Sequence, residues 1–460
     1  MIRFFGKVYP IRKLLFFFGE GLFLFCSMIV VSSLLSPEEV PSVFDPAFLV
    51  RVLFIDFVCL LSLYYFDLYT FRMGLANSDM FLRLSQALGC ASILLGALFF
   101  LFPVLLPGRW VFLSGLGLFF GLSIFWRLLY GFIIKKGLLA RPVLILGSGK
   151  FLHDILEAVR KNRDCGFSVA GLVLENLESE VPSGHPVSFG FSGLRHKVLE
   201  AGAECIIVAM DEMRGRLPVR ELLDCKVHGI EVLDGETFFE EMTGRILVDK
   251  INPSWIIFRE GFDQSPFRLA VKRLVGVMFA VVGFVVFGPV LLITPFLIRL
   301  DSPGPILFRQ TRVGKNGRPF TLVKFRSMRT DAEKDGAKWA KKDDDRVTRV
   351  GRFIRKTRID ELPQMWNVLA GHMGFVGPRP ERPEFVDALA AEIPYYDQRH
   401  AVPPGITGWA QINYPYGASV EDAKKKLEYD LYYVKHMSVV FDLYIILKTI
   451  KTILFREGSR

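Results

Sequence analysis

Residues Arg346–Arg382 read RVTRVGRFIRKTRIDELPQMWNVLAGHMGFVGPRPER. Basic residues crowd the first third, the carboxylate pair Asp360-Glu361 follows at once, and a helix-like run leads to Pro378-Arg379-Pro380. Cations, adjacent carboxylates and an arginine held between prolines suit phosphate chemistry, because a guanidinium fork matches phosphate oxygens. The residue order predicts that Asp360 opens a helix running through Leu369 as its N-cap, with Pro363 tolerated in the first turn. A helix N-terminus offers free N–H groups and a partial positive charge. A carboxylate held there stays ionised and can act as a nucleophile. Taken alone, the same pair also reads as simple capping, and the basic run as a solvated or lipid-facing surface. Asp343-Asp344-Asp345, just upstream, has no fixed spacing to a further ligand and reads as a solvated loop.

The chain around this stretch is apolar and basic. Of 460 residues, 51% are hydrophobic, 43 are Phe, the net charge is +10 and the mean hydropathy is +0.34. That composition places it among membrane proteins. The charge suits anionic head groups and anionic substrates, and no nucleic-acid-binding motif accompanies it. The six Cys are scattered without a CxxC pair, which argues against a disulfide framework or a zinc site. No cleavable signal peptide is evident, since the first apolar run is too long and lacks a small-residue cleavage motif.

Four apolar runs precede residue 138: Leu14–Leu35, Phe48–Tyr69, Leu84–Leu106 and Trp110–Ile134. Each is near the ~20 residues that cross a bilayer. Arg3, Lys7, Arg12 and Lys13 precede the first run, Arg72 and Arg83 lie in the second loop, and Lys135, Lys136 and Arg141 follow the fourth. The first loop carries Glu38, Glu39 and Asp45, and the third only Arg109. The positive-inside rule then puts the N-terminus, the second loop and everything after the fourth run in the cytoplasm. Glu20 and Asp56 lie within runs; such carboxylates mark transport paths or, more simply, interhelical contacts or carboxyls protonated in place.

A fifth run, Leu274–Ile298, is long enough to span, but Gly288-Pro289 and Pro295 interrupt it. Proline removes a backbone donor and clashes with the preceding turn, so a kink is expected. Arg268, Lys272 and Arg273 precede the run and Arg299, Arg309 and Arg312 follow it. Cations at both ends favour a re-entrant hairpin over about 268–300, entering and leaving on the cytoplasmic face. An ordinary kinked span is the alternative.

Between Arg141 and Phe262 short apolar strands alternate with helical segments: Val143–Leu146, Val169–Leu174, Cys205–Met210 and Ile230–Leu233, with helices His153–Asn162 and Leu217–Cys225. This predicts a Rossmann-like parallel sheet with helices on both faces. Gly147 and Gly149 after the first strand invite a dinucleotide reading, with Glu175 where a ribose-binding acid would sit. The third glycine position is Leu152, so the fingerprint is weakened and a tight strand-to-helix turn is the alternative.

In the C-terminal part, Ile306–Gln310 and Phe320–Phe325 read as strands around the turn Gly314–Gly317, and Lys324 and Arg326 bring cations to a strand end. Here DSPGPILFRQ, KFRSM, RKTRIDELPQMWNVL, FVGPRPERP and PGITGWAQIN follow in order. Together they resemble the bacterial sugar transferase family: polyprenyl-phosphate hexose-1-phosphate transferases, or monotopic phosphoglycosyl transferases. The resemblance covers residues 264–460; residues 1–137 and 138–263 resemble the transmembrane and Rossmann-like additions of its large members. The tail NYPYGASVEDAKKKLEYDLYYVKHMS is similar to the branch associated with exopolysaccharide systems.

The resemblance implies that Asp360 attacks the β-phosphate of a nucleotide sugar, with UDP the default. A covalent phospho-sugar enzyme forms and the nucleoside monophosphate leaves. Undecaprenyl phosphate then takes the sugar phosphate. It implies Glu361 as ligand of Mg²⁺, which phosphoryl transfer uses to spread charge. By position in the motifs, Lys324, Arg326, Arg355 and Arg379 are expected on phosphate and Gln411 on the sugar or nucleotide. The implied setting is the bacterial inner membrane with the catalytic domain on the cytoplasmic face, a homodimer, and contact with membrane lipids and other polysaccharide-assembly proteins. The chain departs from the family pattern at His372 and Gly374, where an acidic residue and a Ser are frequent, and at Gly288, where Ser-Pro is frequent. Val439–Phe455, interrupted by Asp442, Lys448 and Lys451, reads as an amphipathic helix on the membrane surface. Two rivals remain: a membrane-anchored nucleotide-sugar dehydratase or epimerase, whose Tyr-x-x-x-Lys spacing is absent from the Rossmann-like part and is found at Tyr444–Lys448 in the C-terminal helix, and a non-catalytic assembly scaffold.

Overall fold

A computed structural model of the chain describes residues 2–4, 6–35, 45–69, 77–135, 140–162, 165–175, 184–251, 265–332, 345–415, 417 and 419–455. Glu38, Glu39, Arg72, Lys136, Asp343 and Asp344 lie outside the described residues. The chain divides into two compact units, Met1–Phe238 and Phe239–Arg460.

The first unit opens on a short antiparallel pair, β1 (Ile2–Phe4) and β2 (Lys7–Tyr9). Four apolar helices follow: α1 (Ile11–Leu34), α2 (Pro46–Tyr65), α3 (Asn77–Leu101) and α4 (Arg109–Lys135). Each is long and apolar enough to cross a membrane. Their shared core includes Leu24, Met28, Val52, Ile55, Leu84 and Phe119. Leu15, Phe18, Ile93, Phe100, Trp110 and Phe125 are exposed, an outward apolar surface that lipid would cover.

Glu20 does not stand alone in this bundle. It accepts two hydrogen bonds from Arg127 of α4, at 2.6 and 2.8 Å, and one from Ser123 at 2.5 Å. Arg127 also donates to the Leu68 carbonyl at 2.6 Å. This is the interhelical contact among the readings of Glu20, and it keeps a buried carboxylate paired, as burial demands.

The rest of this unit carries a parallel sheet in the order β5-β4-β3-β6-β7. The strands are β3 (Arg141–Ser148), β4 (Phe167–Leu174), β5 (Val187–Phe189), β6 (Cys205–Met210) and β7 (Glu231–Asp234). β3 and β6 are apolar almost throughout, as strands buried on both faces must be. Helices Leu194–Glu200 and Val219–Val227 pack against them through Leu194, Val198, Leu222 and Cys225. β5, only three residues long, was not legible as a strand from its sequence.

The second unit begins with residues 239–251, which pack on the C-terminal helices. Glu240 accepts from Lys435 at 2.7 Å and pairs with His436 at 2.7 Å. The Gly244 carbonyl accepts from the Trp409 indole at 2.7 Å. The expected fifth apolar run is two helices, Pro266–Val286 and Gly288–Asp301. The break falls at Phe287, φ −93 and ψ 8, immediately before Gly288-Pro289. Pro295, expected to add to the kink, is accommodated inside the second helix.

Both helices pack on the same unit. Lys272 donates to the Val376 carbonyl at 3.0 Å and to Asp442 at 2.6 Å. Ala280 lies in a core with Leu322, Met365 and Val368, and Ile298 in one with Phe325 and Ile354. The hairpin β8 (Leu307–Val313) and β9 (Pro319–Phe325) forms as expected, with Phe308 opposite Lys324 and Arg309 opposite Val323. A two-stranded parallel pair, β10 (Gly374–Val376) and β11 (Gly405–Thr407), joins the segment before Pro378 to the PGITG segment.

The helix Val439–Phe455 is amphipathic in an inverted sense. The sequence gives Asp442, Lys448 and Lys451 only as interruptions of its apolar run. Asp442 is buried against Lys272 and Tyr433, Lys448 donates to Asn413 at 2.7 Å, and Lys451 is buried. Val440, Leu443, Leu447 and Ile450 are exposed. Their spacing of three and four residues makes one helical stripe.

Candidate active site

The turn that carries Asp360 is held by its neighbours. A helix Arg349–Lys356 leads into it, capped by Thr348, whose hydroxyl accepts from Gly351 N at 3.0 Å. Arg358 then takes a left-handed conformation, φ 59, a strained choice for a long side chain. Ile359–Glu361 form a single 3-10 turn. Ile359 packs with Ile354 and Phe325, and Leu362 with Leu322 and Met365. Two apolar anchors thus flank the dyad and fix where its carboxylates point.

The expected helix from Asp360 to Leu369 is corrected. The helix begins only at Gln364, with Pro363 at its N-cap, and runs six residues to Leu369. Asp360 therefore caps nothing; its Oδ1 is buried without a hydrogen-bond partner. The pair's environment comes from side-chain charges rather than from a helix end.

The two carboxylates differ sharply. Glu361 Oε1 accepts from Arg379 at 2.8 Å and from Arg358 at 3.3 Å. Burial alone would raise Glu361, but Arg379, Arg358 and Lys324 outweigh it and hold the carboxyl at about 2. For Asp360, burial and then the adjacent Glu361 charge push the carboxyl up to about 6, against the pull of Lys324, Arg358 and Arg355. One member is a fixed anion and the other a basic carboxylate with an unclaimed oxygen. Environments that push two carboxylates apart in this way separate their chemical roles.

Lys324 sits on β9 facing the dyad. Burial and the Arg379 charge lower its amine to about 8, which leaves it mostly protonated at neutral pH. Arg355 acts on Asp360 through its charge. Arg379 is held by its backbone on every side. Gly377 N donates to Thr407 O at 2.9 Å, Gly405 N to Pro378 O at 2.9 Å, and Val313 N to Glu381 O at 2.9 Å. Arg312 donates to Pro380 O at 3.0 Å, and Arg399 to Arg379 O at 3.0 Å. The rigidity assigned to the flanking prolines is thus shared with five external hydrogen bonds.

Other candidates lie apart from this group. Arg326 is buried, and its guanidinium donates to Ser302 O, Ser302 Oγ and Pro303 O at 2.7–2.8 Å; it clasps the turn after the broken helix rather than facing the dyad. Gln411 donates to Ile406 O at 3.1 Å, its Oε1 is buried and unpartnered, and no described contact joins it to Asp360 or Glu361. Gly288 lines an open apolar groove of about 930 Å³ with Leu291, Leu292, Val323, Phe325 and Trp366, where Arg309 and His372 also lie. Alternation along β8 and β9 puts this groove's strand residues on the face opposite Lys324 and Arg312. Pro289 opens the helix after the break. Sequence reading missed Arg358, Arg312 and Arg399 as members of the site; only Arg358 carried a signal, its place directly before the dyad.

In the sheet unit, Gly147 and Gly149 stand where a phosphate-binding turn would. Gly149 has φ +80, and a Cβ on it would strike Asp211. The Asp211 carboxylate accepts from Lys150 N at 2.8 Å and from Phe151 N at 3.3 Å. The anion at this helix start is the chain's own. Tyr444 and Lys448 lie on the C-terminal helix, with the Lys448 amine over the Trp409 ring at 5.1 Å.

Among the described residues no group of three or more His, Cys, Asp and Glu could hold a metal ion. Magnesium does not require one: it is bound through one or two carboxylates, waters and substrate phosphates. The dyad, with an unpartnered oxygen on Asp360, fits that donor set.

Comparison with known proteins gives a family and named relatives. Residues 267–456 match the family described as bacterial sugar transferase. The chain is 45% identical over 241 residues to a UDP-N-acetylgalactosamine-undecaprenyl-phosphate N-acetylgalactosaminephosphotransferase of Aeromonas hydrophila, covering 52% of this chain and 56% of that protein. The match thus spans little more than half of the Aeromonas protein. It is 34% identical over 335 residues to a UDP-glucose:undecaprenyl-phosphate glucose-1-phosphate transferase of Escherichia coli, covering 70% and 69% of the two chains. An exopolysaccharide production protein of Rhizobium leguminosarum is 43% identical over 194 residues, 41% of this chain and 97% of that one.

Proposed function

Because this chain belongs to the bacterial sugar transferase family, we propose that it transfers a sugar 1-phosphate from a UDP-sugar to undecaprenyl phosphate, the first membrane step of exopolysaccharide assembly. The observation that carries the reading is the split dyad: a basic, unpartnered carboxylate beside a clamped, permanently ionised one. Asp360 attacks the β-phosphorus of the donor, the bond to the UMP oxygen breaks, and a phospho-sugar stays on the carboxylate. The phosphate oxygen of the lipid then attacks that phosphorus and returns Asp360. Arg379, Lys324 and Arg355 bind and neutralise the phosphates, and Glu361 fixes the Arg379 guanidinium. A magnesium ion would be held by Glu361 beside the donor phosphates, supplying further charge to the diphosphate.

We read residues 1–137 as four membrane spans, 138–263 as a Rossmann-like module and 264–460 as the transferase domain, with residues 239–251 of the module's end packed on the transferase helices, on the cytoplasmic face of the inner membrane and working as a homodimer. The re-entrant reading of residues 268–300 is supported by Lys272 near one end and Ile298 near the other, both held by the same unit. A helix that crossed the bilayer between them would separate these contacts by ~30 Å. The groove at Gly288 adds apolar surface suited to a lipid acceptor.

The test is single turnover of the purified protein with Mg²⁺, undecaprenyl phosphate and radiolabelled UDP-N-acetylgalactosamine, UDP-glucose or UDP-galactose. One donor is expected to give labelled lipid and UMP, and Asp360→Asn neither. Wild-type turnover by Asp360→Asn would remove Asp360 as nucleophile; no turnover with any of these donors would count against the reading.

A further inference from the structure

We propose that Arg399 and Asp430 form a buried positioning pair for Arg379, setting the guanidinium that meets the donor phosphates without touching substrate themselves. The proposal rests on the transferase reading for its activity readout. Arg399 lies in the 3-10 turn Tyr396–Ala401 and Asp430 on the helix Val420–His436. Their side chains are 6% and 2% exposed, and they pair at 2.8 Å. The same Arg399 Nη2 donates to the Arg379 carbonyl at 3.0 Å, while Nη1 donates to the Tyr396 hydroxyl at 2.6 Å. The Tyr396 ring lies 5.1 Å from the guanidinium carbon.

One nitrogen is thus shared between a carboxylate that fixes the guanidinium and the backbone carbonyl of the site arginine. From that carbonyl to the Arg379 Nη2 that donates to Glu361 Oε1 at 2.8 Å there is only one side chain. A tilt of this peptide therefore moves the guanidinium directly. Stability alone gives little reason for such a pair, because well-packed apolar residues of similar volume often replace a buried ion pair without loss. The carbonyl contact is what an apolar pair cannot supply. The other four contacts on residues 377–381 hold neighbouring peptides, so Arg399 is the group that holds the Arg379 peptide itself.

The experiment compares the full-length enzyme with Arg399→Lys, Tyr396→Phe and the double apolar variant Arg399→Met/Asp430→Leu, each also in an Arg379→Ala background. Melting temperature is measured beside kcat and KM for the UDP-sugar. The expected result is a melting temperature within a few degrees of wild type for the double variant, with kcat reduced about 10- to 100-fold, the scale of a ~1 Å misplacement. In the Arg379→Ala background the same changes are expected to cost nothing further, since no guanidinium remains to be positioned. Equal losses in both backgrounds, or wild-type kcat in the double variant, would overturn the proposal. Should the double variant fail to fold, Tyr396→Phe and Arg399→Lys carry the same comparison. An experimental structure of Arg399→Lys supplies the arm independent of chemistry. It is expected to show Arg379 displaced from Glu361, and an unmoved Arg379 overturns the proposal. If the wild type turns over no UDP-sugar, the transferase reading fails while this arm still decides the positioning claim.

Discussion

Asp360 and Glu361 share a peptide bond and little else. Arginine contacts hold one at about 2, and burial beside that charge raises the other to about 6. If ionised Asp360 is the attacking form, kcat/KM should fall as pH drops through about 6, and fall again above about 8 as Lys324 loses the charge that binds the phosphates. On the acid side about tenfold is lost between pH 7 and pH 5 for a single group at that value; the measured midpoint belongs to the coupled pair. Arg358 lowers the Asp360 value, so removing its charge should move this acid limb toward neutral pH. Arg358→Asn is the variant to use, because Asn tolerates the left-handed backbone; an unmoved limb would show that Asp360 does not set it. The types and order of these residues were legible in the sequence. Their electrostatic split was not, since it depends on which cations converge from β9, the Pro378 loop, the helix Arg349–Lys356 and the turn itself.

Individual elements show where periodicity suffices. Long apolar helices and the strands of the parallel sheet other than β5 follow from hydrophobic patterning, and the break follows from Gly288-Pro289. The short turn at the dyad does not, because Ile359 and Leu362 are captured by two separate cores and tertiary packing overrides the capping preference. The Gly147-Ser148-Gly149 turn shows the same limit. Its glycines suggested a phosphate seat, while Asp211, 62 residues beyond Gly149 in the chain, supplies the anion from β6's end. Asp211→Ala should lower the sheet unit's stability by about 1 kcal/mol, the typical worth of a lost helix cap, read as a lower thermal midpoint. An unchanged midpoint would show that the carboxylate contributes no capping energy.

For the whole molecule, both ends of the broken helix are tied to one unit, which makes membrane topology testable. In a cysteine-free background, single cysteines at Ser265 and at Ser302 should react with an impermeant thiol reagent from the same side of sealed inverted vesicles; labelling from opposite sides would establish a full crossing. The residues 239–251 that clasp the C-terminal helices through Glu240 and Gly244 could not be read as belonging there, because nothing local distinguishes them from the preceding sheet.

The helix Val439–Phe455 turns its ionisable residues inward and its apolar stripe outward. On the proposed membrane reading, that stripe would hold residues 239–460 to a lipid leaflet by themselves, in addition to any tether upstream. Under the proposed function, a donor arriving from bulk water would meet an active site already confined to the plane in which the lipid acceptor diffuses. The encounter between enzyme and acceptor becomes a two-dimensional search, and its rate should follow the acceptor's surface density in the membrane rather than its bulk concentration.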